Sequence, residues 1–287
     1  MNIVFASHTE IGGTFVVGSH HLSREFARRG HRVLHMSAPV TPAHLLKLHH
    51  GGVRQRFGLW ASGGRAEHEG VVNYVGFSAL PWQLALRFAS ESHNLYARTL
   101  PSITGVLKAR NMWPVDALII DQPQLAGIEN LLVPKMLVYR ATDLYEEMTG
   151  SAAVGLAEKR LARKAALLVG TSEPVLSHLH QLSPATPTLL IENGVEFELF
   201  NTPAAPPPEY AHIPGPRAVY AGALDDRFDF EQMRALAQLP LQIVLIGPAT
   251  PNASEVLGSL PNVHLLGPRP YRSLPGYLQH AQIGLLP

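Results

Sequence analysis

The opening of the chain constrains its fold more than any other feature. Residues 3–6 form a short apolar run, and a turn carrying Gly12-Gly13 follows. Gly18, Leu22 and Phe26 then fall on one helical stripe at i, i+4 spacing. Gly30 closes that segment, and residues 33–36 begin a second apolar strand. Two strands joined through a helix run parallel, by a right-handed crossover. The expected frame is therefore a parallel sheet covered by helices on both faces.

The alternation continues. Strands are expected at 71–75, 117–120, 136–139, 167–169 and 188–191, and helices at 92–108, 153–164 and 174–180, the last with Pro174 in its first turn. Pro203, Pro206, Pro207, Pro208, Pro214 and Pro216 then cluster, and proline at that density fixes φ and removes donors. The segment 201–216 reads as an interdomain linker. Beyond it the pattern restarts, with strands expected at 218–221, 241–246, 263–266 and 283–286 and helices at 230–237, 254–257 and 274–280. The expected organisation is a first domain over 1–200, the linker, and a second domain over 217–287. Against the roughly 100–150 residues usual for a domain, the second is short, and the expectation is one that stops before it is finished.

Composition narrows the classes. Of 287 residues 46% are hydrophobic and 16% charged, which is globular rather than disordered. A net charge of +1 gives no electrostatic case for nucleic acid. The absence of cysteine excludes a disulfide framework and thiolate chemistry and fits a reducing compartment. The N-terminus reads as a first strand rather than a signal peptide, and no stretch is long and apolar enough to span a bilayer. A cytoplasmic protein, free or peripherally attached, is expected.

Ligands of parallel sheets gather at the carboxyl ends of strands, and several candidate residues stand there. Gly12-Gly13 is either a close-approach turn for a diphosphate or a plain tight turn. It is not part of a G-x-G-x-x-G fingerprint, which argues against a nicotinamide enzyme. Asp143 follows an apolar strand, where it serves either as a general base or as the N-cap of a helix over 144–147. Glu158 lies among Lys159, Arg160, Arg163 and Lys164, the pattern of a solvated helix face. Ser172 and Glu173 follow the next strand, and Ser172 equally suits a cap. In the second half Gly222, Gly247 and Gly267 end three successive strands, with Arg227 placed to clamp a diphosphate and Arg269 and Tyr271 just beyond the third. No Asp-x-Asp element ends a strand, Asp225-Asp226 being a poor substitute, and no metal is expected.

Residues 44–65 interleave Lys47, His49, His50, Arg54, Arg56 and Arg65 with Leu45, Leu46, Phe57 and Trp60. The mixture suits an anionic membrane surface, and it also suits an ordinary loop around a buried tryptophan, which is the preferred reading.

Taken in order, Ile11-Gly12-Gly13, the run 27–33, Tyr139 through Asp143, Glu158, Gly170 through Glu173, Glu192-Asn193-Gly194-Val195, Tyr220-Ala221-Gly222, Ile246-Gly247-Pro248, the run 262–267 and the run 283–287 form a series. It resembles the GT-B glycosyltransferases, especially the family 4-like bacterial polysaccharide group of teichuronic-acid-type and xanthan-type glucuronosyltransferases. The resemblance implies an α/β fold of two Rossmann-like doubly wound domains facing a cleft, the second incomplete. It implies transfer of a sugar from a nucleotide-diphosphate sugar held by the second domain to a saccharide acceptor held by the first; if the 44–65 stretch meets a membrane, the acceptor is expected to be polyprenyl-linked, at its cytoplasmic face. It implies no cofactor beyond the nucleotide-diphosphate sugar as co-substrate.

On the same resemblance Asp143 is the catalytic candidate. It is the base if the enzyme inverts and an acceptor-positioning group if it retains. Gly12, Gly13, Ser172, Glu173, Asn193, Gly222, Arg227, Gly247, Arg269 and Tyr271 fall to the donor, and His20, His21, Arg140 and Glu158 to the acceptor side. The retaining relatives carry a Glu-x7-Glu element past the strand that here ends at Pro287, so weak or absent activity is expected of this chain. Two rivals stay open: a sugar-nucleotide 2-epimerase of the same fold, and a silent sugar-nucleotide-binding module.

Overall fold

The computed structural model describes all residues except 14, 47, 49, 50, 64, 67, 68, 90–92 and 226, with backbone alone at 51, 65 and 66. The chain divides into two compact units, Met1–Gly194 and Val195–Pro287.

The first unit is built on strands β1 (Asn2–Ala6), β2 (Arg32–Val40), β3 (Arg65–Ala66), β4 (Val71–Phe77), β5 (Ala117–Ile120), β6 (Met136–Ala141), β7 (Leu167–Gly170) and β8 (Thr188–Leu190). Their spatial order is β3-β4-β2-β1-β5-β6-β7-β8. Every pairing is parallel except β3 with β4. Side chains alternate faces along a strand. Ile3 and Phe5 therefore join Val33, Val71, Ile119, Val138 and Val169 on one side, while Val4 and Ala6 join Leu34, Met36, Leu118, Ile120 and Tyr139 on the other. Both faces are buried, which is why these strands read as unbroken apolar runs. Helix α1 (Gly18–Arg28) lays Leu22 and Phe26 on the first face, as their spacing predicts.

The expected helix over 92–108 is a correction. Residue 92 lies outside the described residues, and the helix present is only Ile103–Ala109. Pro101 lacks an N–H and pushes the residue before it toward extended backbone. Helix starts only at Ser102, whose hydroxyl accepts from the Gly105 amide at 3.1 Å.

The second unit carries β9 (Arg217–Ala221), β10 (Gln242–Ile246), β11 (Val263–Leu265) and β12 (Ile283–Gly284), all parallel, in the order β11-β10-β9-β12. The expected linker over 201–216 is a second correction. The division falls at Gly194, and the proline segment belongs to the second unit. Its prolines set the turns, but Tyr210 and Ile213 between them are buried against Val219, Val244, Ile246 and Tyr277. The Tyr210 hydroxyl donates to the Tyr277 carbonyl at 2.9 Å, and the Arg217 guanidinium stacks on the Tyr210 ring at 4.4 Å. The segment thus covers one face of this sheet together with helix Leu274–Gln279.

Candidate functional site

At the carboxyl edge of the first sheet, Asp143 follows β6. The helix after it, Tyr145–Thr149, has Leu144 at its N-cap position and no side-chain cap bond. Asp143 is exposed, and its Oδ2 accepts a hydrogen bond from Thr142 Oγ1 at 2.8 Å. The capping alternative therefore fails, and an open carboxylate stands at a strand tip. Thr142 is itself held from two sides. Its carbonyl accepts from the Thr171 hydroxyl at 3.1 Å, and its Oγ1 lies 2.8 Å from the hydroxyl of buried Tyr145. That tyrosine donates to the Asp121 carbonyl at 2.5 Å.

Beneath this tip runs a buried polar network that the sequence did not announce. Ser7 Oγ meets Ser19 Oγ at 2.8 Å, and Asp121 Oδ2 lies 3.5 Å from Ser7 Oγ and 3.3 Å from Arg140 Nη1. Burial pushes the Asp121 carboxyl up to about 6, against the opposing pull of Arg140. The second Arg140 nitrogen, Nη2, donates to Asn193 Oδ1 at 3.4 Å. A Cβ at Gly18 would come within 2.6 Å of that nitrogen, so glycine there lets the guanidinium lie against the start of α1. One signal could have found Asp121: it follows the apolar run 117–120, as Asp143 follows its own strand.

Several expected acceptor-side residues are structural instead. His20 is fully buried, with Nε2 donating to the Thr9 carbonyl at 3.1 Å and its ring edge-on to His35 at 5.0 Å. Desolvation holds it at about 4, a neutral ring with no free face. Glu158 is buried on the inner side of helix Ala152–Lys164, accepting from Tyr139 OH at 2.6 Å and from His178 Nε2 at 3.1 Å. Its exposed neighbours Lys159, Arg163 and Lys164 form the solvated face, and Glu158 is not on it. Arg140, 4% exposed, is a scaffold for the edge. His21 is half-buried on α1.

On the donor side of the first unit the expectations divide. Gly12 has φ 85° and Gly13 closes a turn on the Glu10 carbonyl, but residues 14–17 separate this turn from the start of α1. Ser172 is the N-cap of helix Glu173–Leu182 without a side-chain bond, Glu173 is exposed in its first turn, and Asn193 is exposed beside Arg140.

In the second unit the glycine turns are knitted together. The Gly222 amide donates to the Ile246 carbonyl at 2.9 Å and the Gly247 amide to the Gly267 carbonyl at 3.1 Å. These amides are committed to the fold rather than presented to a phosphate. A Cβ on Gly247, whose φ is 146°, would overlap the Gly222 carbonyl oxygen at 1.7 Å, so only glycine allows this crossing. Arg227 is held by Asp225 through Nε at 3.1 Å and Nη2 at 2.8 Å, and Asp226 lies outside the described residues. Arg269 is spent on structure: it bonds Glu209 at 2.8 Å, Tyr277 OH at 3.0 Å and the carbonyls of Leu266 and Pro268. Tyr271 packs edge-on against Phe200 at 5.6 Å.

Two further features complete the first unit. A pocket of about 40 Å³ opens among His8, Trp82, Tyr96, Gln122, Gln124 and Leu125, past the ends of β1 and β5. Within 44–65, residues Gly51–Ala61 are helical rather than a loop, and Trp60 is half-buried there, donating to the Leu100 carbonyl at 2.7 Å and packing on Phe77, while Leu46 is 84% exposed. Lys47, His49, His50 and the Arg65 side chain lie outside the described residues. Among the described residues no helix is long and apolar enough to cross a membrane, and no three His, Asp or Glu side chains gather as metal ligands.

No protein-family model and no curated protein matches the chain. Solved structures do. Sucrose-phosphate synthase from Thermosynechococcus elongatus superposes with a TM-score of 0.69 at 16% identity, over 98% of this chain and 74% of that one. A trehalose-6-phosphate protein from E. coli, bound with UDP-2-fluoro glucose, gives 0.60 at 12%, over 99% and 78%. The catalytic domain of starch synthase IV from Arabidopsis thaliana, bound to ADP and acarbose, gives 0.58 at 12%, over 98% and 77%. At such identities the likeness establishes the fold, which is that of the GT-B enzymes.

Proposed function

We propose that the protein is a glycosyltransferase that moves a sugar from a nucleotide-diphosphate sugar to a hydroxyl of a saccharide or lipid-linked saccharide. The observation that carries this reading is the open Asp143 carboxylate, released from any capping duty and aimed by Thr142 at the carboxyl edge of β6. The GT-B fold supports it, because proteins of that fold with sugar-nucleotide or nucleotide ligands match almost the whole chain.

In the reaction the bond from the anomeric carbon to the diphosphate breaks as the acceptor oxygen bonds to that carbon, through oxocarbenium character. The acceptor proton passes to Asp143 if the configuration inverts; if it is retained, the acceptor attacks from the side of the leaving group, its proton passes to the departing diphosphate oxygen, and Asp143 orients the acceptor. No other cofactor enters the proposal. Arg227 would meet a diphosphate while already paired with Asp225 through Nε and Nη2. The donor-binding group in the first unit is the turn at Gly12-Gly13. Membership of the family 4-like polysaccharide group, and peripheral contact with an anionic membrane through exposed Leu45 and Leu46, are finer parts of the same proposal.

The test is turnover. The protein is incubated with UDP-, ADP- and GDP-hexoses and a panel of saccharide acceptors, and products are read by mass spectrometry. Acceptor-dependent release of nucleoside diphosphate supports the reading. An epimerised nucleotide sugar formed without acceptor favours the epimerase, and donor binding without turnover favours a silent module.

A further inference from the structure

We infer that the pocket beside β1 and β5 is a binding site for uncharged hydroxyl groups, so that the acceptor is engaged there through neutral sugar hydroxyls and not through a phosphate or carboxylate. The chemistry of its wall carries this. Gln124 is 8% exposed, and its Oε1 is buried with no hydrogen-bond partner. A buried amide left unmatched is costly unless a ligand or water completes it. Asn94 Nδ2 donates to the Gln124 backbone carbonyl at 2.8 Å, so the backbone is fixed while the side-chain amide is spare.

The neighbours are spare in the same way. Gln122 donates through Nε2 to Tyr145 OH at 3.3 Å, which leaves its Oε1 as an acceptor. Among the described residues Tyr96 OH shows no hydrogen bond, and the His8 ring, which also shows none, is exposed at the rim of the pocket. Desolvation first, and Arg56 second, hold the His8 imidazole below its ordinary value, while burial pushes the Tyr96 phenol up to about 12. The wall is thus two amides, a phenol and a neutral imidazole beside the Trp82 indole; the nearest fixed charge, Arg56, donates to the carbonyl of lining Ala38 and is paired with Glu10, so it is already matched.

Neutral donors and acceptors beside aromatic carbon suit a sugar, whose hydroxyls both give and accept while its C–H face packs on a ring. They suit an anion poorly, since burying a charge without a partner is expensive. At about 40 Å³ the pocket admits a few water-sized groups. A hydroxymethyl arm or two vicinal hydroxyls fit, and a whole ring does not.

The pocket also communicates with the reactive edge. Its wall residue Gln122 bonds Tyr145, Tyr145 lies against Thr142, and Thr142 bonds Asp143. The inference rests on the transferase reading only in calling the ligand an acceptor; the binding site itself is tested without donor.

The experiment follows the aromatic NMR signals of Trp82 and Tyr96 in the whole protein during titration with methyl β-D-glucoside, methyl N-acetyl-β-D-glucosaminide and glucose 6-phosphate. At least one uncharged glycoside should shift both signals, glucose 6-phosphate should bind at least tenfold more weakly, and Gln124→Leu should weaken the glycoside at least tenfold. Tyr96→Phe, which removes a single oxygen, should weaken it several-fold and serves where Gln124→Leu does not fold. Glucose 6-phosphate binding as tightly as the glycosides, no shift with either glycoside, or folded variants that bind as before would each overturn the inference. None of these outcomes bears on whether the protein binds a nucleotide sugar, which calorimetry with UDP and ADP reads separately.

Discussion

Thr142 Oγ1 donates to Asp143 Oδ2 at 2.8 Å, and this bond, rather than a helix cap, orients the carboxylate at the tip of β6. If Asp143 takes the acceptor proton, Asp143→Asn should lower turnover on the order of 10²–10⁴-fold with little change in donor affinity. Thr142→Val, which leaves the carboxylate in place without its guide, should cost roughly tenfold through misorientation. Steady-state kinetics on both variants check this, and near-normal turnover of Asp143→Asn rejects the role.

Acid should destabilise the first unit through its buried histidines. His20 is lowered from 6.5 to about 4, so on acidification the unfolded chain binds that proton first. The stability held in neutral His20 is complete above about pH 6.5 and is lost as the pH falls toward 4. A shift of this size corresponds to on the order of 3 kcal/mol. His35, fully buried and also lowered, acts in the same direction. Asp121, raised from 3.8 to about 6, acts oppositely, since its contribution is complete below 3.8 and lost as the pH rises through 6. Two histidines outweigh one carboxyl, and the net effect is loss on acidification. Urea midpoints at pH 7 and pH 4.5 should show it, and His20→Gln should shrink the difference.

Arg269 should matter to folding and not to the donor. Its guanidinium ties the turn after β11 and helix Leu274–Gln279 to Glu209 of the proline segment. Arg269→Ala should lower stability by about 1.5–3 kcal/mol, the range for hydrogen bonds to charged groups. Nucleotide affinity, measured by calorimetry below the unfolding transition, should stay within about twofold of the parent, since a change of that size is under half a kcal/mol.

Gly247 should tolerate no side chain. At φ 146° a Cβ there would overlap the Gly222 carbonyl, and that neighbour is backbone, which cannot rotate aside. Gly247→Ala should destabilise the second unit by about 2–4 kcal/mol, combining strain with steric conflict. Thermal melts check this, and Gly194→Ala, where a Cβ meets nothing, is the control.

How much of this was legible follows from the range of the signals. Strands such as β5 and β10 are continuous apolar runs because both their faces are buried, and a local window suffices to find them. The proline segment misled because proline density reports turns, whereas the burial of Tyr210 and Ile213 depends on strands distant in sequence. Glu158 misled for a related reason. A charged run is read as one face, yet successive helical residues point about 100° apart, and Glu158 turns inward to Tyr139 while Lys159 does not. Arg269 and Arg227 were placed at the right strand ends, but whether an arginine is spare depends on carboxylates such as Glu209 that only the folded chain brings near. Asp143 was read two ways, as a base or as a cap; the N-cap position is taken by Leu144, which removes the cap and leaves the base as a proposal.

The most direct test compares wild-type protein and Asp143→Asn in one assay: transfer of labelled sugar from a nucleotide-diphosphate hexose to an unphosphorylated saccharide. The account predicts an acceptor-dependent glycoside product from the wild type and a loss on the order of 10²–10⁴-fold in the variant. Equal transfer by both proteins, or consumption of the donor by epimerisation with no acceptor present, would contradict it.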